Sequence, residues 1–242
     1  MEAIRIENLT KEFKEVRAVD GLSLTVEEGE LFSLLGVNGA GKTTTIKMLS
    51  CLTAPTEGDA WLMGKSIVSE PAAVKSIIAV SPQETAVAPT LTVRENLELM
   101  CGVHGLRRSE AEERIGSLAE LLGLESVMKR RAGKLSGGWQ RRLSIAMALV
   151  SQPKILFLDE PTLGLDVIAR SELWDLIRGL KGKVTVILTT HYMEEAEALS
   201  DRIAIMRDGR LLVCDRADEI KKLAETDSFE QAFIKIVKGE AV

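Results

Sequence analysis

Hydrophobic and polar residues alternate at the start of the chain. Ile4, Ile6 and Leu9 are apolar while Arg5 and Glu7 are charged, a period of two that predicts a half-buried strand over residues 3–9. Leu22, Leu24 and Val26 repeat the alternation, and Glu27-Glu28-Gly29-Glu30 closes it as a turn. Residues 31–35, Leu-Phe-Ser-Leu-Leu, form a short apolar run that reads as a buried strand, and a helical pattern follows over residues 44–49. After the turn Pro55-Thr56-Glu57-Gly58 comes a short strand over 59–63, and the apolar run 77–80 ends in Ser81-Pro82-Gln83.

The pattern changes between about residues 92 and 151. Thr92-Val93-Arg94-Glu95 has the form of a capping box ahead of an apolar-periodic segment. A charged amphipathic helix is predicted over 109–122 and another helix over 137–150. Strands return at 155–158, 184–188, 203–206 and 210–214, with helices at 168–180 and 193–199 between them. Residues 227–238 predict a last amphipathic helix. Strands alternating with helices imply an α/β fold with a mainly parallel, helix-covered sheet, into which an all-helical segment of about sixty residues is inserted.

Composition narrows the function classes. With 242 residues there is length for a sizeable core. A net charge of −5 and only 4% aromatic residues argue against a direct nucleic-acid binder. No apolar run approaches the length needed to span a bilayer, and the first residues lack the apolar core of a signal peptide. Cys51, Cys101 and Cys214 are far apart and odd in number, as expected for reduced thiols in a cytosolic protein.

The densest chemistry lies between the 31–35 strand and the helix after it. Gly36-Val37-Asn38-Gly39-Ala40-Gly41-Lys42-Thr43-Thr44 matches G-x-x-x-x-G-K-[ST] in the context strand, turn, helix. Glycines leave backbone N–H groups uncovered to converge on phosphate oxygens, and the helix adds its positive end. Lys42 is expected to reach the β- and γ-phosphates of a nucleoside triphosphate, and the Thr43 hydroxyl to hold Mg²⁺.

Two further segments suit that reading. The strand at 155–158 delivers Asp159 and Glu160 at its C-terminal end, where open parallel sheets bind ligands. Asp159 suits the shell of a Mg²⁺ ion, and Glu160 the polarising of an attacking water. Ser136-Gly137-Gly138 opens a second helix, with Ser136 as a candidate N-cap and two glycines exposing backbone N–H groups, a second anion-binding helix end.

Taken in order, the phosphate loop (Gly36 to Thr44), Gln83, Leu135-Ser136-Gly137-Gly138, Asp159-Glu160, Leu163-Gly164-Leu165-Asp166 and His191 resemble the motif series of the ATP-binding subunits of ABC transporters. The resemblance covers essentially the whole chain. It implies a P-loop NTPase fold over 1–242, with an N-terminal antiparallel β subdomain, an inserted α-helical subdomain at about 88–152 and a C-terminal helical tail at about 216–242. It implies ATP and Mg²⁺ as ligands. By resemblance, Phe13 would stack on adenine, Gln83 would sense Mg²⁺ and the attacking water, His191 would hydrogen-bond the γ-phosphate, and Asp166 would join the subunit interface. The nucleotide-contacting set so implied is Phe13, Gly36, Asn38, Gly39, Ala40, Gly41, Lys42, Thr43 and Thr44, with Ser136, Gly137, Gly138 and Asp166 from the interface. Val37, Trp139 and Val167 stand where the family often has other residues, and none of them removes a group that touches phosphate.

Within that family, Thr189-Thr190-His191-Tyr192-Met193-Glu194-Glu195-Ala196 and the closing Ser228-Phe229-Glu230-Gln231-Ala232-Phe233 resemble the branch that exports drugs, lipids or polysaccharides. The expected partners are a second nucleotide-binding subunit and integral membrane permease subunits, which would place the chain at the cytoplasmic face of the membrane. The competing expectation is a soluble ATP switch of the same fold, of the iron–sulfur assembly or DNA-repair type.

Overall fold

The computed structural model describes residues 1–240. Strands β1 (Glu2–Phe13) and β2 (Val16–Glu27) form an antiparallel hairpin in which Phe13 faces Val16 across the turn at Lys14 and Glu15. Both run longer than the sequence alternation predicts. Register shifts between Ile6 and Leu9 and on toward Glu12 break the period of two, while the backbone pairing continues past them. β4 (Glu57–Leu62) and the short β5 (Lys65–Ser66) complete a four-stranded sheet in the order β2-β1-β4-β5.

The second sheet has six strands in the order β10-β9-β3-β8-β7-β6. These are β3 (Leu31–Leu35), β6 (Ile78–Ser81), β7 (Ile155–Asp159), β8 (Thr185–Thr190), β9 (Arg202–Arg207) and β10 (Arg210–Asp215). All neighbours are parallel except β9 and β10. Every residue of β3, β7 and β8 is buried, which explains why they read as apolar runs rather than alternations.

Leu156, Leu158, Val186 and Leu188 pack into a cluster with the inserted helices, while Phe32, Leu34, Phe157 and Ile187 pack with α1 (Lys42–Leu49) and the four-stranded sheet. Each such side chain gains about 1.5–3 kcal/mol from burial, so the two clusters fix the central strands from both faces.

Between β6 and β7 the described elements are all helical: α3 (Val93–Val103), α4 (Arg108–Leu121), two single 3₁₀ turns and α5 (Gly137–Leu149), after the short α2 (Pro71–Lys75) that precedes β6. The capping box forms: Glu95 N–H donates to Thr92 Oγ1 at 3.2 Å, and Thr92 N–H donates to Glu95 Oε2 at 2.7 Å. α6 (Val167–Arg178) and α7 (Met193–Leu199) flank β8 in sequence. α8 (Ala217–Leu223) and α9 (Phe229–Lys238) form a third cluster with Leu35, Ile203 and Ile205. The sequence pattern does not announce α2 or β5, because elements that short complete too few periods to show one, while α8 falls within the helical tail expected at about 216–242. Ala241 and Val242, the last residues of the expected tail, lie outside the described residues.

The loop from Pro82 to Thr92 is held by Asn96, which is fully buried on α3. Its Nδ2 donates to Ala88 O at 3.2 Å and to Thr92 O at 2.9 Å, and its Oδ1 accepts from Ala88 N–H at 2.8 Å. Replacing Asn96 by Leu strands the Ala88 N–H, while Ala88 O and Thr92 O keep the backbone donors of Leu91 and Asn96, and is expected to cost about 1–3 kcal/mol. A urea unfolding midpoint equal to that of the wild type would remove Asn96 from this role.

Candidate functional site

The three central strands end at one edge of the sheet. Leu35 pairs with Thr190 across β3 and β8, and Asp159 pairs with Thr189 across β7 and β8. From β3 the chain turns directly into α1, and two positions of that turn accept only glycine. A Cβ on Gly36 would lie 2.4 Å from Met206 O; one on Gly41, whose φ is 100°, would lie 2.5 Å from Ala18 O. No side chain caps α1 at Gly41, so the first helical N–H groups stay open to an anion.

Lys42 lies on that helix end, almost fully buried. Its Nζ donates to Gly36 O at 2.7 Å and Val37 O at 3.2 Å, and stands 4.0 Å from Glu160 Oε1. Burial pulls the ammonium below its ordinary value, and the nearby carboxylates of Glu160 and Asp159 pull the other way.

Asp159 is the last residue of β7 and is buried. Its Oδ1 accepts from Thr43 Oγ1 at 3.2 Å and from Thr189 Oγ1 at 2.5 Å. Glu160 follows with a left-handed φ of 46°, a conformation that costs a side-chain-bearing residue about 1 kcal/mol or more. Its N–H is held by Thr189 O at 3.1 Å and Thr189 Oγ1 at 3.0 Å. The turn brings Glu160 Oε2 to 3.3 Å from His191 Nδ1. That pair lacks hydrogen-bond alignment, and His191 Nδ1 has no hydrogen-bond partner among the described residues.

A cleft of about 830 Å³ opens here. Residues 38–44, Gln83, Glu160 and His191 line it, joined by Val16, Arg17, Ala18, Leu163 and Asp208. The oxygens of Thr43 and Asp159 lie side by side. That donor set fits a small hard cation such as Mg²⁺, which takes one or two protein oxygens and completes its shell with water and phosphate. No cluster of three or more His, Cys, Asp or Glu that could cage a metal occurs among the described residues, so a cation here would depend on substrate oxygens as well.

Other expected residues lie outside the cleft lining. Phe13 sits half-exposed at the hairpin tip, one ring face covered by Lys11 Nζ at 5.0 Å from its centroid. Ser136 occupies the N-cap of α5 but makes no capping hydrogen bond with its side chain, and Ser136 and Gly137 are exposed. A Cβ on Gly138 would meet Ala169 Cβ at 3.1 Å, so the start of α5 packs against the start of α6. Asp166 caps α6, its Oδ1 accepting from Ala169 N–H at 2.9 Å.

Four groups escaped the sequence reading. Thr189 links both acids. Arg141 on α5 is 4% exposed and donates to Pro82 O at 2.6 Å and to Gln83 O, tying the helix to the Gln83 loop. A readable signal existed, since Arg141 shares a helical face with the buried Ser144 and Ile145. The turn between β9 and β10 supports the phosphate loop, Gly209 N–H donating to Ala40 O at 3.2 Å while Asp20 N–H donates to Gly209 O at 2.9 Å. Glu195 on α7 is fully buried behind the His191 loop, its Oε1 accepting from Trp174 Nε1 at 3.0 Å.

Comparison with known proteins places this geometry. The family model described as ABC transporter matches residues 19–163. The doxorubicin resistance ATP-binding protein DrrA of Mycobacterium tuberculosis is 44% identical over 87% of this chain, which spans 64% of that protein's length. The Nod factor export ATP-binding protein I of Burkholderia lata is 44% identical over 86% of this chain and 68% of its own. A solved structure titled as the ATP binding subunit of an ABC transporter superposes with a TM-score of 0.84 at 26% identity, covering 97% of this chain and 99% of that one.

Glu195 supplies a pH-dependent test. Burial pushes its carboxyl above the ordinary value of 4.5, against the polar groups beside it, among them the Trp174 N–H. A raised folded value favours the protonated form, so its contribution to stability is full below about 4.5 and lost as pH rises through the folded value. Glu195→Gln carries no charge to desolvate and is expected to gain stability relative to wild type as pH rises above 4.5. Thermal unfolding of both proteins across pH 4.5–8 checks this, and parallel pH profiles would contradict it.

Proposed function

This chain belongs to the ABC transporter family, and on that premise we propose that it binds and hydrolyses ATP with Mg²⁺ to drive export of a drug, lipid or polysaccharide through separate membrane-spanning subunits. The observation that carries the reading is the convergence of the open α1 terminus, Lys42, Glu160 and His191 on one cleft at the end of three parallel strands, with Asp159 buried against Thr43 at its wall. The names of the relatives, which include drug resistance and Nod factor export, support the exporter branch over a switch unconnected to transport.

The division of work follows from the chemistry of each group. Residues Gly36 to Thr44 cradle the phosphates with backbone N–H groups, and Lys42 adds a full positive charge against the β- and γ-oxygens. Thr43 and Asp159 hold Mg²⁺, which when bound spreads the negative charge of the β- and γ-phosphates. Glu160 accepts a hydrogen bond from the attacking water and polarises it, while His191 hydrogen-bonds the γ-phosphate and Gln83 senses metal and water from its loop. Phe13 supplies a face for adenine.

Ser136, Gly137, Gly138 and Asp166 act on the nucleotide of a second subunit. Support comes from their position outside the chain's own cleft at an exposed helix end. The helical segment at about 88–152 moves as one unit and passes the state of the cleft to permease subunits through the Arg141–Gln83 contact. Among the described residues no helix is long and apolar enough to cross a membrane, so a place at the cytoplasmic face would come through those partners.

Glu160→Gln keeps the shape of the side chain and removes its charge. It is expected to retain ATP binding, lose turnover by about 10²–10⁴-fold, and sediment as a dimer in saturating Mg²⁺-ATP. Steady-state hydrolysis within a few-fold of wild type would take Glu160 out of the catalytic role.

A further inference from the structure

Thr189 stands in the interior of the six-stranded sheet, on β8 between β3 and β7, and is fully buried. The two residues before it on the strand, Ile187 and Leu188, are apolar, and a valine would suit the strand as well. The hydroxyl therefore calls for a reason beyond the fold.

Its two partners make opposite demands. The Glu160 N–H can only donate, and it is shared between a lone pair of Thr189 Oγ1 at 3.0 Å and the Thr189 carbonyl at 3.1 Å. The ionised Asp159 carboxylate can only accept, and its Oδ1 receives the hydroxyl proton at 2.5 Å. The chain from amide through hydroxyl to carboxylate thus has one direction, and each bond polarises the next. The same Oδ1 accepts from Thr43 Oγ1 at 3.2 Å, so the Asp159 carboxylate is held between a hydroxyl on the phosphate-loop helix and one on the sheet. One residue later, the same Thr189 hydroxyl steadies the backbone amide of Glu160, which sits at a φ of 46°.

We propose that Thr189 is a positioning residue that sets both acids at once: it aims the Asp159 carboxylate toward the cation it shares with Thr43, and it fixes the left-handed turn that turns Glu160 toward the attacking water. It touches neither nucleotide nor water. The inference rests on the roles given to Asp159 and Glu160 in the proposed function. It goes beyond them by giving one hydroxyl of the neighbouring strand a hold on both carboxylates.

The test compares Thr189→Val, which keeps the branched shape and loses the hydroxyl, with Thr189→Ser, which restores it. Should the valine variant not fold, Thr189→Ala enters the same measurements. The first measurement is NMR-detected amide exchange of Glu160 in nucleotide-free protein, taken relative to the Phe157 amide so that global destabilisation cancels. Loss of the hydroxyl leaves the Glu160 amide only the Thr189 carbonyl and is expected to speed its exchange about two- to fivefold, the scale of part of one hydrogen bond, with serine returning it. The second is Mg²⁺ titration of ATP binding by calorimetry. The half-saturating Mg²⁺ concentration is expected to rise several-fold in the valine variant, with affinity for ATP in the absence of Mg²⁺ unchanged and serine again restoring the wild-type value.

A wild-type result in either measurement overturns the proposal, even where the variant is less stable. Failure of the wild-type protein to hydrolyse ATP would instead strike the proposed function, and the Glu160 exchange rate would still decide whether Thr189 holds that turn.

Discussion

The geometry at the cleft depends on the parallel pairing of β3, β8 and β7. That pairing sets Leu35 beside Thr190 and Asp159 beside Thr189, so the mouth of the phosphate loop and the pair of acids are fixed to one edge two strand spacings apart. The energy behind it is apolar. Every residue of the three strands is buried, and clusters on both faces resist any shift of register, which in a strand would turn each side chain to the opposite face. A register defined this firmly tolerates a strained residue at its end. Glu160 keeps a left-handed backbone because the strand beside it offers both a carbonyl and a hydroxyl to its amide.

Away from the sheet the contacts are polar and specific. The loop bearing Gln83 is tied at one end by Asn96 and on the other side by Arg141, through backbone carbonyls in both cases. Arg141 is buried with its guanidinium pulled below its ordinary value by desolvation, opposed by Asp159. A buried cation satisfied by two carbonyls is expensive to displace, because the charge would then lack partners. The inserted helices and the Gln83 loop are consequently linked more tightly than their place at the surface of the sheet suggests.

Legibility in the sequence followed the kind of signal each feature leaves. Strands buried on both faces were visible as apolar runs, and the phosphate loop was visible because its glycines are fixed by contacts with Met206 and Ala18 that no side chain could share. The Thr92–Glu95 cap was readable because it is local. Thr189, by contrast, looks like an ordinary strand threonine, and its meaning appears only when β7 lies beside it, 30 residues away in sequence. The support that Gly209 gives to Ala40 spans a still longer separation. The Ser136 side chain corrects the local reading in a small way, since it occupies the N-cap without closing it.

Charge balance bears on the second subunit of the proposed function. Within the phosphate end of the cleft the fixed charges are Lys42, the positive end of α1 worth roughly half a unit, and the carboxylates of Asp159 and Glu160. With Arg141 set against Asp159, and Arg17 and Asp208 offsetting each other on the cleft wall, the cations barely balance the acids, so the chain alone offers a polyphosphate little net positive charge. A divalent cation between Thr43 and Asp159 would supply it, which is why the proposed ATP site calls for one. Even then, in the proposed function, the γ-phosphate would meet Lys42 on one side and open solvent on the other, where water screens the attraction. The uncapped, exposed start of α5 has the complementary property: donors and a positive helix end with no anion of its own chain's cleft to hold. Bringing the α5 terminus of one copy onto the open side of another would exclude water from the phosphates and satisfy both surfaces together, so that closure of the dimer and completion of the electrostatics become the same event.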